Sequence, residues 1–94
     1  MTMTLIEAIR VLGSLDEHGT IYAAKPWTEH SRVIVAREPE SRGLPTEAER
    51  LGLVYFIEVR VARDFLEDWV ARHSGRPTPQ AKCARLVQYV MSDA

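Results

Sequence analysis

Three carboxylates, Asp64, Glu67 and Asp68, crowd one stretch of this chain. Neighbouring carboxylates can share general acid–base work or hold a hard cation. Each also has an arginine at helical spacing: Arg60 with Asp64, Arg63 with Glu67, and Asp68 with Arg72. Such pairs stabilise a helix by about 0.2–0.5 kcal/mol each. Asp64 in a first turn also complements the helix dipole. The spacing therefore predicts a solvated, salt-bridged helix face rather than a site. His18, His30 and His73 lie far apart, without the i, i+4 or short-loop spacing of metal ligands, so no metal site is expected. Cys83 sits on an apolar stripe with no adjacent base, which predicts a buried structural thiol and no catalytic residue. Gly13, Gly19, Gly43, Gly52 and Gly75 are isolated, and no phosphate-cradling loop or nucleophile elbow can be built from them. No cofactor is expected.

The aromatic residues offer more. Tyr55, Phe56, Phe65, Trp69 and Tyr89 fall in segments predicted to build the core. Trp27 differs, because it stands in the turn Pro26-Trp27-Thr28 between two candidate strands. A loop tryptophan can fold back to close a small core, and its high average burial favours that reading. Left exposed, it would anchor an interface. Trp27 with Glu29, His30 and Arg32 as a polar rim is thus the candidate interaction surface. A second arrangement would place Tyr22, Glu58 and Arg60, with Arg32, around a pocket between sheet and helices, as a small-molecule binder or enzyme needs.

These residues need elements to hold them. Thr4 and Glu7 have the spacing of a capping box before Leu5, Ile6, Ile9 and Leu12, which predicts a helix over 5–12 stopped by Gly13. Residues 21–25 and 32–37 read as a strand hairpin, the second segment carrying Val33, Ile34 and Val35. Thr46 and Glu49 repeat the capping-box spacing ahead of a short helix closed by Gly52. Leu53 to Val59 is the most apolar run and reads as a strand at or near the centre of the sheet. From Val61 the period becomes helical, through Phe65, Leu66, Trp69 and Val70. Thr78 and Pro79 start a last helix with Cys83, Leu86, Val87, Val90 and Met91 on one stripe. The expected fold is α+β, in the order α-β-β-(short α)-β-α-α. A three-stranded, mainly antiparallel sheet would carry helices on one face, in a single domain over residues 1–94.

Bulk composition narrows the partners. With 94 residues, 46% hydrophobic and 27% charged, the chain suits one ordinary core. A net charge of -1 gives no electrostatic reason to expect nucleic acid or an anionic membrane. All of the 12 basic residues except Lys25 and Lys82 are arginine. One cysteine permits no intrachain disulfide, and Met1 to Thr4 lacks the basic and apolar regions of a signal peptide, so a cytoplasmic location is expected.

Three stretches carry a resemblance: Pro26-Trp27-Thr28, Tyr55-Phe56-Ile57-Glu58-Val59, and Lys82-Cys83-Ala84-Arg85-Leu86-Val87-Gln88-Tyr89 with the closing Asp93-Ala94. Together the chain resembles a family of small bacterial proteins of unassigned function. The resemblance implies no catalytic residues, and a role as a toxin-neutralising or regulatory partner. The expectation is a non-enzymatic protein-interaction module that covers a protein partner or its own copy as a homodimer.

Overall fold

The computed structural model describes residues 2–41 and 43–92, so the closing Asp93-Ala94 lies outside the described residues. Thr4 does two jobs at once. As N-cap of helix α1 (Leu5–Arg10) it accepts from the Glu7 amide at 3.3 Å, while the Glu7 carboxylate accepts from the Thr4 amide at 2.8 Å. An N-cap has extended rather than helical dihedrals. That geometry (φ -90, ψ 162) lets Met3–Thr4 lie as a short strand, β1. The sheet therefore has four strands, not three. A two-residue strand is too short to show any periodicity. The helix expected to reach residue 12 ends at Arg10, and a 3-10 turn over Leu12–Ser14 carries Gly13.

The other strands are β2 (Thr20–Ala23), β3 (Arg32–Ala36) and β4 (Val54–Glu58). The spatial order is β1-β3-β2-β4, antiparallel throughout. The β2–β3 pairing matches the expected hairpin. β4 is an edge strand, not the central one; β2, buried along its whole length, takes the middle with β3. The apolar run in β4 has another cause. Ile21 pairs with Ile57 but Tyr22 pairs with Tyr55, which leaves Phe56 as an extra residue in a β-bulge. Phe56 and Ile57 consequently pack into the same core, where strict alternation would have sent one of them to the opposite face.

That core is filled by Leu5, Ala8 and Ile9 of α1, Ile21, Ala23 and Val33 of the sheet, and residues of two long helices. α2 is the short helix Thr46–Leu51; α3 spans Val59–Arg72 and α4 spans Pro79–Ser92. α3 contributes Val59, Ala62 and Leu66, and α4 contributes Cys83 and Leu86. The helices do not all lie on one face. Tyr22 and Ile34 alternate to the other side, where Ala48 of α2 and Leu53 cover them. Pro45, not Thr46, is the N-cap of α2, without a side-chain hydrogen bond, so the second capping box does not form. Gly52 closes α2 at φ 72, a conformation that favours glycine. At α4, Thr78 Oγ1 accepts from the Ala81 amide at 3.1 Å, as its position before Pro79 predicts. No helix among the described residues is long and apolar enough to cross a membrane.

Gly19 joins the layers. Its carbonyl accepts from the first amide of α3, Val59, at 3.0 Å. A Cβ there would lie 3.0 Å from Val35 Cγ1 and 3.1 Å from the Asp16 carbonyl oxygen, so close approach demands glycine.

The bulge makes an unusual expectation about neighbours. Phe56→Ala should cost about 3–5 kcal/mol and Ile57→Ala about 2–5 kcal/mol in chemical denaturation. The half-exposed Tyr55 should cost far less. A cheap Phe56→Ala variant would show that strict alternation holds in β4.

Candidate functional site

The loop between β2 and β3 is fastened before it presents anything. The buried Ser31 accepts from the Thr28 amide at 2.8 Å and donates to the Pro26 carbonyl at 3.1 Å. Carbonyls of Ser31 and Glu29 accept from the free amides of Leu5 and Ile6 at the start of α1, at 2.8 and 3.0 Å. The loop thus closes a helix end that would otherwise need water.

Trp27 rides on this loop and is half-buried. Its Nε1 donates to the Ala23 carbonyl at 3.3 Å. Its ring meets Phe56 edge to face at 4.9 Å, and Lys25 Nζ stands 5.0 Å from its centroid. It folds back over the core and still forms the shared wall of two surface hollows. One, of about 340 Å³, is bounded by Tyr55, Phe56, Val61, Tyr89 and Val90 beside the outer edge of β4. The other, of about 280 Å³, is bounded by Thr28, Glu29, Gln80, Cys83 and Val87.

Of the expected rim, Glu29 lines the second hollow, and exposed His30 reaches its carboxylate at 3.2 Å. Arg32 is not with them. Val33 packs into the α1, α3 and α4 core, so strand alternation turns Arg32 to the other face of the sheet. Tyr22, Glu58 and Arg60 are not drawn to the Trp27 surface either. Tyr22 is buried in the α2-side core, its ring 6.4 Å from Tyr55 in an edge arrangement. Its hydroxyl lies near Thr20 without a well-directed hydrogen bond. Burial, then the charge of Glu38, raises its pKa. Glu58 and Arg60 are exposed, and these three residues line neither Trp27 hollow.

The acidic helix face behaves in part as its spacing suggests. Asp68 and Arg72 pair at 3.3 Å. Arg63 instead crosses to the end of the 3-10 turn, where Nε donates to the Leu12 carbonyl at 2.9 Å and Nη2 to that of Leu15. Among the described residues no group of three His, Cys, Asp or Glu side chains could hold a metal ion. The sequence reading missed the α4 wall. Tyr89 stacks on Phe65 at 4.1 Å with Arg85 5.0 Å from the Phe65 centroid, and both rings are half-buried. The clue was the width of the α4 stripe, since Tyr89 falls beside it.

No protein-family model, curated protein or solved structure matches this chain.

Burial, and then the charge of Glu29, pushes the Cys83 thiol up to about 11. At pH 8 the native protein should therefore react with a thiol-specific disulfide reagent far more slowly than the denatured chain. The raised value also has a sign for stability. The unfolded thiol ionises first, so this residue's contribution falls as pH rises from its ordinary value near 9 towards 11. A native Cys83 as reactive at pH 8 as the denatured thiol would contradict the packing described.

Proposed function

We propose that this chain is a protein-interaction module whose contact surface is centred on Trp27. The observation that carries the reading is the place of Trp27 between the two hollows. An aromatic anchor held rigid on a fastened loop and flanked by apolar depressions has the composition of an interface centre, where Trp and Tyr dominate binding energy. Glu29 and His30 supply the polar rim, with Gln80 on the opposite side. The unpaired outer edge of β4 adjoins the Tyr55 and Tyr89 hollow, which suits a partner segment in extended conformation. The reading extends to a bacterial, cytoplasmic protein acting as an immunity-like or regulatory partner. It rests there on the resemblance of the Pro26–Thr28, Tyr55–Val59 and Lys82–Tyr89 segments. A second copy of the chain could occupy the same surface.

The test uses exposed positions that leave the core alone. Tagged protein would capture partners from lysate of the native host, with light scattering on the eluate. Gln80→Glu and Ala84→Glu, both at exposed residues lining the smaller hollow, should each abolish the stoichiometric complex, or the homodimer, without changing the melting temperature. Arg32→Glu, on the far face, should leave it intact. A complex lost through Arg32→Glu but retained by the other two would place the surface elsewhere.

A further inference from the structure

Away from Trp27, a hollow of about 490 Å³ opens between the end of α1 and the α3–α4 pair. Small-ligand sites span roughly 300–1,000 Å³. Its floor is apolar, from the core residues Ile9, Leu12 and Leu66 with Val70 beside them. Its charged residues are Arg10, Arg63, Glu67 and Lys82.

Those charges are not equivalent. Arg63 is committed to the Leu12 and Leu15 carbonyls. Arg10 and Lys82 make no ion pair among the described residues. Lys82 is half-buried, and a cation drawn partly out of water gains most from an anionic partner. Glu67 is the one carboxylate in the lining, so positive charge is in excess above an apolar floor. Gly13 lines the same hollow. A Cβ there would meet nothing within 4 Å and its φ lies outside the left-handed range, so neither packing nor backbone requires glycine. Its effect is to leave the space open.

We propose that this hollow binds a small amphipathic carboxylate. The aliphatic chain lies on Ile9, Leu66 and Val70, and the carboxylate sits at the Arg10 and Lys82 rim. The apolar floor selects against a bare inorganic anion, and the cations select against a neutral or cationic amphipath. This site is independent of the Trp27 surface and stands if that reading fails.

The test is a two-dimensional amide NMR titration of the whole chain with sodium octanoate. Saturable shifts should centre on Ile9, Gly13, Leu66 and Val70. Lys82→Gln should weaken binding about tenfold or more, the loss of one charge-assisted contact. Glu67→Gln should strengthen it about twofold by removing a like charge near the solvent. Gly13→Leu should fill the space and abolish binding with the melting temperature unchanged. Octanol or inorganic phosphate binding as well as octanoate would overturn the proposal, as would a Lys82→Gln variant with unaltered affinity. Binding to phosphatidylglycerol vesicles without a response to monomeric octanoate would also overturn it, and would point to a lipid surface.

Discussion

The start of α1 is where the separate parts of this molecule are tied together. The first amides of a helix have no partner within it. Here Leu5 and Ile6 donate to carbonyls of the β2–β3 loop, and Glu7 donates to the Thr4 hydroxyl. One set of bonds thereby fixes three things. It docks α1 against the sheet, holds β1 in register with Arg32 and Val33, and freezes the loop that carries Trp27. Ser31 is the hidden support, since its hydroxyl satisfies two backbone groups of that loop from a buried position. A buried group left unpaired costs about 1–3 kcal/mol, so the loop's shape is tied to the stability of the helix end.

The bulge in β4 is the second constraint, and it explains how a small sheet serves two cores. By turning Phe56 inward beside Ile57, it gives the larger core an extra aromatic side chain, and that ring becomes the seat of Trp27. Tyr55 stays on the α2 side to meet Tyr22. The bulge also falls in an edge strand, where irregular pairing discourages indiscriminate addition of another chain.

What could be read in the sequence was local. The Thr4 and Glu7 box, the Gly52 stop, the Thr78-Pro79 start and the β2–β3 hairpin each depend on residues a few positions apart, and each is present. What could not be read depends on distance. Arg63 is spaced to pair with Glu67, yet it reaches carbonyls about fifty residues away in sequence. Pro45 displaced Thr46 as a cap because the chain enters α2 one residue earlier. The edge position of β4 was masked by the bulge, which makes an edge strand look as apolar as a central one. For Trp27 the two expected placements, packed over the core or exposed, were alternatives, whereas the structure leaves the ring half-buried. The choice turned on Phe56, whose direction no periodicity could give. Arg32 is next to the Trp27 loop in sequence but belongs to a strand, and alternation alone carries it away.

Both edges of the sheet run into helices without a connecting loop. Thr4 ends β1 and caps α1; Glu58 ends β4 and caps α3. Such joints have no slack. The place of β4 sets where the first turn of α3 begins, and the place of β1 does the same for α1. The hollow lined by Arg10, Leu66 and Lys82 lies between those two helices. Two walls of that hollow are therefore anchored at opposite edges of one sheet, with no loop between strand and helix at either.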